Sequence, residues 1–553
     1  MKNTFTSVLF LICTASASAQ WTDDTAINTL VSDSAYVKEY PTFVDDNLGG
    51  YFVVWTENRV SGLIDGDVYA QHIDANGLRL WGEGGVLVCS DLYLQYKPIA
   101  LPDGEGGIFV AWTDNRNNDE LPGLNNYQPA LARVDESGNV LWSFILQEDA
   151  NYNFQTQSFP ITMMSDGEGG VFVCWNTLMP LQNVDVLMQR VDADGNTLWD
   201  NNLNITPIAD SQYESQIVTD GSGGCYVGWL DERNGDGDYY VQHVDADGNI
   251  QWQESGLPLV VETNNNNNTH RLLSDGQQGA YVVYCRRIGS SAPFDVYAQR
   301  MSPDGEPMWG NEAGISVSSA DDFQMNIEAT TDGAGNLFAV WEDLRNPDNN
   351  NEDIYAQKVN SSGIVQWTTD GVLALDGEFG DVVEPNIVHD GQGGAIVCAQ
   401  KHNVLNDDIA QLQAANITSA GTLNGSVMNV TSSNTSFKWF TSLLPTVTGQ
   451  CITLFTEERY EEQDRLYLQK TAFTPYSSVY EIVSDSALQL WPNPCSEVLN
   501  VRSDMPVKNV QVINARGEVV QNFSNTNNMD VSTLASGLYV LMTEAGIIRF
   551  IKN

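Results

Sequence analysis

A unit of about 57 residues recurs eight times along this chain, as from Asp46 to Asp103 and from Asp275 to Asp332. Most copies open with an Asp-Gly-x-Gly-Gly turn and continue into an apolar strand that ends in Trp. Copies begin at Asp46, Asp103, Asp166, Asp220, Asp275, Asp332 and Asp390, with a worn eighth at Thr446. The Trp slot lies nine residues after the opening residue, at Trp55, Trp112, Trp175, Trp229 and Trp341; Tyr284, Ala399 and Phe455 fill it in the other copies. A fixed period of this size means stacked or circularly arranged units, since one copy cannot bury its own apolar face.

Within a copy, short β-branched and aromatic runs alternate with Gly, Asn and Asp turns, which describes antiparallel strands. In the sixth copy these are Met325 to Thr331, Leu337 to Trp341, Asp353 to Val359 and a strand opening at Ile364. No amphipathic helical periodicity of useful length interrupts them. Four strands per copy, eight times over, predict an all-β fold with an eight-bladed β-propeller; seven blades and a stray repeat is the alternative. The last copy lacks a fourth strand, and the segment Ile27 to Ser32, preceded by Trp21, resembles the fourth strands that follow Trp309 and Trp367. The N-terminal segment is therefore expected to complete the last blade and cover a sheet edge. The repeats, over roughly residues 20 to 475, look like those of other bacterial secreted propellers.

The flanks carry different signals. Lys2, the apolar run Phe5 to Cys13 and the small residues Ala17-Ser18-Ala19 read as a secretory signal peptide, residues 1–19, cleaved before Gln20. No stretch approaches transmembrane length. The expected organisation is a propeller over 20–476, a Ser-containing linker over 477–486 and a small antiparallel β-sandwich, immunoglobulin-like, over 487–553. This last segment closely resembles the type A C-terminal sorting domain of the type IX secretion system of Bacteroidetes. The resemblance rests on Trp491-Pro492-Asn493-Pro494, on the turn Ala515-Arg516-Gly517, on Leu534 to Tyr539 with Gly537, and on the basic end at Arg549 and Lys552. It implies partnership with the type IX secretion machinery and release from the cell or attachment to its outer surface.

Lys plus Arg total 25 against 72 Asp plus Glu, a net charge of −47, so nucleic acid is a poor partner. Seven cysteines remain after signal cleavage, without a Cys-x-x-Cys pair, and are expected as small buried apolar residues. An acid and an Arg two residues apart follow the Trp strand in five copies: Glu57 and Arg59, Asp114 and Arg116, Asp231 and Arg233, Asp343 and Arg345, Glu457 and Arg459. Repetition argues for a structural ring of blade-to-blade pairs. The copies that break this pattern carry Asn176 and Thr177, Arg286 and Arg287, and Lys401 and His402; the last two pairs are the ligand-binding candidates. A recurring Gln, at 71, 189, 242, 299, 357, 411 and 469, is expected to satisfy buried polar groups. No cofactor is required; calcium is the one ion the Asp-rich loops would admit, with Asp236 and Asp238 as candidate ligands, whereas Asp192 and Asp245 open loops that lack the later Glu of a calcium loop. No nucleophile elbow, phosphate loop or zincin motif is present. These features favour a non-catalytic binding module for an extracellular glycan or protein. The competing expectation is a secreted polysaccharide hydrolase or lyase with its site at one end of the propeller channel.

Overall fold

The computed structural model describes Thr25 and residues 28–552, apart from 59–65, 92–93, 116–126, 147–160, 179–182, 236, 261–268, 288–291, 311–312, 347–350, 379, 404–405, 433–437, 447–448, 461–462, 474–487, 492–494, 496, 504–508, 514–518, 525–527, 535–536 and 544–545. The chain divides into two compact units, Met1–Pro475 and Tyr476–Asn553. The first is an eight-bladed β-propeller, each blade a four-stranded antiparallel sheet. In the first blade the strands run in order Lys38–Asp45, Tyr51–Glu57, Asp67–Ile73 and Val86–Cys89. The eighth blade takes three strands from Lys438–Pro445, Gln450–Tyr460 and Gln463–Ala472, and its fourth from Thr29–Leu30 at the opposite end of the chain, with Thr29 paired to Leu468 and Leu30 to Tyr467. First strands of successive blades touch one another all the way round, closing between Lys38–Asp45 and Lys438–Pro445, and so form the innermost ring.

The core is a ring as well. Eight apolar clusters lie one at each joint between blades. The second strand of each blade feeds them from both faces, which is why it reads as a continuous apolar run such as Tyr51–Glu57, buried throughout. The Trp at its end is sealed in, with Trp55, Trp112, Trp229 and Trp341 wholly buried. All seven cysteines described are free and buried.

The Asp-Gly turns explain their own composition. Asp103 Oδ1 accepts the backbone N–H groups of Glu105 and Gly107, each at 2.8 Å. Gly106 stands at φ +91°, and a Cβ on Gly107 would lie 2.2 Å from the Val134 carbonyl oxygen, so the third strand can approach only a bare backbone. The other carboxylate oxygen is taken by the third strand: Arg133 bonds Asp103 at 2.9 Å, Arg190 bonds Asp166 at 2.9 Å, and Arg300 bonds Asp275 at 2.9 Å. His72 and His243 do the same for Asp46 and Asp220, each at 2.9 Å.

Blade-to-blade ties come from a second set of tryptophans, ahead of or within the fourth strand. Each indole N–H donates to a backbone carbonyl in the next blade's turn between third and fourth strands: Trp81 to Glu136, Trp142 to Ala193, Trp199 to Ala246, Trp252 to Pro303, Trp309 to Ser361 and Trp367 to Ser419. Of the acid–Arg pairs expected between blades, the two that are described lie within their blades, while Arg59, Arg116 and the Arg459 side chain lie outside the described residues. Asp231 accepts Trp229 Nε1 and Arg233 Nε, each at 2.8 Å, and Asp343 treats Trp341 and Arg345 alike. Arg233 and Arg345 also lie over Tyr240 and Tyr355, 3.8 Å from the ring centroids. The acid serves first as the buried partner of the Trp indole, which a spacing of two along a strand also permits.

The recurring Gln bonds the turn that follows it. Gln357 Oε1 accepts the N–H groups of Lys358 and Trp367, and its amide donates to the Thr368 carbonyl. Gln71, Gln242 and Gln299 repeat the pattern. Gln411 is out of this register: it pairs with Lys401, and Ala415 occupies the equivalent slot opposite Val397.

The C-terminal unit has a three-stranded sheet of Leu488–Trp491, Val498–Ser503 and Asn528–Asp530, and a four-stranded sheet in the order Val519–Ser524, Asn509–Ile513, Gly537–Thr543, Gly546–Lys552. Leu499, Val501 and Met529 from the first meet Val510, Val512, Tyr539 and Leu541 from the second in one buried cluster.

Candidate functional site

Each Asp-Gly turn lies at one end of the channel, so the opening residues of the first strands lie at the other. There the first strands carry β-bulges. Register shifts fall between Glu39 and Thr42, Tyr96 and Ile99, Tyr213 and Gln216, Met325 and Glu328, and Val383 and Asn386. One residue in each bulge is left-handed: Tyr40 at φ 50°, Lys97 at 53°, Glu214 at 55°, Asn326 at 51° and Glu384 at 53°. All five stand six residues before the opening residue of their copy. Glycine is used freely in the turns of this chain and is absent from these positions. Holding a non-glycine residue there costs about 1–3 kcal/mol each, and such outliers concentrate where a side chain is needed.

Blades 1 and 2 present an aromatic group. Tyr40, 48% exposed, meets Tyr96 edge-on with centroids 6.1 Å apart, and Tyr96 meets Tyr127 at 5.2 Å. Lys97 Nζ lies 5.7 Å from the Tyr40 centroid and 5.9 Å from that of Tyr96, and burial lowers its pKa. Thr42 ties this sector together by donating to the Pro98 carbonyl at 3.1 Å.

Blades 4 to 6 present charge. Arg271 forms an ion pair with Glu328 across the joint and donates to the His270 carbonyl at 2.7 Å. His270 is buried; burial and the neighbouring Arg271 push its pKa down to about 3, so it is neutral and its Nε2–H donates to the Glu214 carbonyl at 3.1 Å. Burial raises the carboxyl of Glu214.

Blades 6 and 7 present an acid cluster. Glu342 is buried and accepts Asn326 Nδ2 at 2.6 Å and the Glu384 backbone N–H at 2.7 Å, both from bulge residues. Burial, against those two hydrogen bonds and with the charges of Glu352 and Glu384, lifts its pKa to about 7. Burial raises Glu384 too, opposed by His402. Glu352 is raised by burial and by the neighbouring Asp381, whose carboxylate accepts the Glu352 backbone N–H at 3.3 Å. A buried carboxyl near pH 7 can give or take a proton at neutral pH.

The residues singled out from sequence divide unevenly over this geometry. Lys401 and His402 belong to blade 7: His402 lies beside Gln400, with 3.0 Å between Nε2 atoms, and acts on Glu384, while Lys401 Nζ donates to the Asp376 carbonyl at 2.7 Å. Arg286 and Arg287 belong to blade 5 and lie over Tyr297 and Phe294, 4.9 and 5.0 Å from the ring centroids. Blade 6 stands between the two pairs. Asp238 is buried and its Oδ2 accepts Asn234 Nδ2 at 2.7 Å; Asp236 lies outside the described residues. Asp192 and Asp245 spend their oxygens on their own turns, on Asp194, Asn196, Asp247 and Asn249. Cys89, Asp91 and Asp114 form the one close group of metal-ligating side chains among the described residues, with Asp114 already accepting the Trp112 indole at 2.9 Å. The bulge residues escaped the sequence reading because Tyr, Lys, Glu, Asn and Glu share no chemistry. Counting back six from each turn would have aligned them.

No curated protein sequence matches this chain. Among solved structures it is similar to a polysaccharide lyase, an ulvan lyase bound to a GlcA–Rha3S ligand (11% identity, 81% of this chain and 96% of that one, TM-score 0.43). It is also similar to a puromycin hydrolase (15%, 68% and 51%, TM-score 0.38) and to a Dyadobacter fermentans protein of unknown function (10%, 72% and 95%, TM-score 0.34). Likeness at this level says nothing about activity. No helix among the described residues is long and apolar enough to cross a membrane. In the sorting segment Tyr539 is buried in the cluster shared by the two sheets and Gly537 opens the strand beside Lys552, whereas Pro492, Asn493, Pro494 and Gly517 lie outside the described residues. Residues 489–552 match the family of secretion system C-terminal sorting domains, and this tail marks the propeller as cargo of the type IX secretion system, destined for the medium or the cell surface.

Proposed function

We propose that the propeller is a secreted glycan-binding module whose ligand sits at the bulged end of the channel. The observation that carries this reading is the set of five left-handed, non-glycine residues at one equivalent position. Tyr40 offers a flat face for the apolar face of a sugar ring and is backed by the buried Tyr96, while Lys97, Glu214, Asn326 and Glu384 offer donors and acceptors for hydroxyl groups. That combination of a few placed polar groups with aromatic surface is what small-ligand sites use. The test is retention of the mature chain on a broad glycan panel, with and without calcium. Retention that falls in Tyr40→Ala and Lys97→Ala supports the reading; retention unaffected by both, or no retention on any glycan, contradicts it.

One observation favours a second reading, a polysaccharide hydrolase or lyase. Glu342, with a pKa near 7 and held by Asn326 and Glu384 beside the acidic pair Glu352 and Asp381, has the properties of a proton-transfer group. Release of products from the same panel, abolished in Glu342→Gln, would replace binding by catalysis.

A further inference from the structure

In a chain with 72 Asp and Glu against 25 Lys and Arg, a cation with no carboxylate beside it is an exception that needs a cause. Cations of this propeller are normally engaged within the fold. Arg133, Arg190 and Arg300 meet the Asp of their turns, and Arg233 and Arg345 meet the Asp at the end of their second strands. On the first strands, Arg271 pairs with Glu328, and Lys38 Nζ donates to the Ser34 and Tyr36 carbonyls at 2.7 and 2.8 Å. Lys97 has neither kind of partner among the described residues. Burial lowers its pKa and no carboxylate opposes the shift, whereas Lys358, lowered in the same way, has Asp332 and Asp390 to oppose it.

What surrounds Lys97 is aromatic. Its Nζ lies 5.7 Å from the Tyr40 centroid and 5.9 Å from that of Tyr96, whose other neighbour is Tyr127 at 5.2 Å. The rings attract the ammonium and fix where it points, yet they leave its charge unmatched. Lys97 also holds a left-handed backbone at φ 53°, as Tyr40 does at 50° on the neighbouring first strand. Two equivalent, strained positions in adjacent blades thus set an exposed ring and an unmatched ammonium side by side. The rest of the mouth carries carboxyl groups, with Glu214 in blade 4, Glu342 in blade 6 and Glu384 in blade 7. An anion entering the channel is repelled from that side and matched at blades 1 and 2.

We propose that the ligand is an acidic glycan and that blades 1 and 2 hold its charged sugar: the ring stacks on Tyr40, and its carboxylate or sulfate ester accepts a hydrogen bond from Lys97 Nζ. This rests on the glycan reading given above and narrows it to one class of ligand. A charge-assisted hydrogen bond in a half-buried site separates a charged sugar from its neutral counterpart by about tenfold or more. The net charge of −47 repels any polyanion at long range. That field is screened beyond about 8 Å at physiological salt, whereas the contact with Lys97 is made inside that distance.

The experiment measures retention of the mature chain, at physiological salt, on two matched pairs of immobilised glycans. One pair is polygalacturonate and its fully methyl-esterified form; the other is carrageenan and its desulfated form. Each pair keeps the sugar backbone and removes the charge, so the two pairs separate carboxylate from sulfate ester as the preferred group. The charged member of at least one pair is expected to be retained about tenfold more strongly than its neutral counterpart. That preference is expected to vanish in Lys97→Met and to return in Lys97→Arg, which restores the charge. Equal retention of charged and neutral members, a preference that survives Lys97→Met, or a Lys97→Met loss that is the same for both members overturns the inference. In those cases retention that still falls in Tyr40→Ala leaves the glycan reading standing. Retention of none of the four glycans overturns the acidic class, and the neutral members of the broad panel then decide whether the glycan reading falls with it.

Discussion

The two ends of the propeller are made by the same repeats and keep them with different fidelity. At the turn end, an Asp caps its own turn and in five copies meets a basic partner from the third strand, as Asp103 meets Arg133 and Asp166 meets Arg190. At the other end five of the first strands share a bulge and a left-handed backbone, yet the residues placed there are Tyr40, Lys97, Glu214, Asn326 and Glu384. One end repeats both geometry and chemistry, and its polar groups are consumed by the fold. The other repeats the geometry alone and leaves aromatic and ionisable groups at the channel mouth. Repetition of chemistry thus marks the groups that hold blades together, and repetition of geometry without chemistry marks the groups available to a ligand.

The largest effect should come from the shared scaffold. Trp341→Ala removes a wholly buried indole and one of the donors to Asp343, so a loss of about 3–5 kcal/mol in denaturant-measured stability is expected. Arg133→Met leaves the buried Asp103 carboxylate unpaired and removes the bond to Ala193 in the next blade, for about 3 kcal/mol in the same measurement. These changes at repeated positions should cost stability and leave any surviving binding intact.

The channel mouth should respond to pH. The folded-state pKa of Glu342 lies above the usual value, so the stability it contributes is complete at acid pH and is lost as pH rises from about 4.5 through about 7. In Glu342→Gln this portion of the pH dependence, on the order of 3 kcal/mol, should vanish from the stability curve. The smallest stability change belongs to the left-handed positions themselves. Tyr40→Gly should alter stability by no more than about 1 kcal/mol, since relief of the backbone offsets the lost ring contacts, while glycan retention falls. A large loss of stability in Tyr40→Gly would place this residue with the scaffold and erase the contrast between the two ends.

Much of the fold was legible because the eight copies keep their turns and buried Trp positions. The eight blades follow from Asp46 through Thr446, and even Tyr284, Ala399 and Phe455 occupy the Trp slot as buried residues. The site was legible only in part. Lys401 and His402 stood out as breaks in the acid–Arg pattern, and His402 does reach the acid cluster through Glu384. Arg286 and Arg287 stood out equally and are placed over aromatic rings of their own blade. The bulges were hidden because a left-handed residue announces itself in sequence only when it is glycine. Asp231 and Asp343 were misassigned to the joints because two-residue spacing fits Trp–acid and acid–Arg pairs equally, and only the burial of the indole tells them apart.

The most direct measurement compares glycan retention in two sets of variants of the mature chain. One set changes the divergent end, with Tyr40→Ala and Lys97→Ala; the other changes exposed residues of the repeated end, with Glu136→Ala and Asp194→Ala. Retention lost in the first set and kept in the second is the result predicted here. Retention kept in the first and lost in the second would contradict the assignment of the ligand site to the bulged end of the channel.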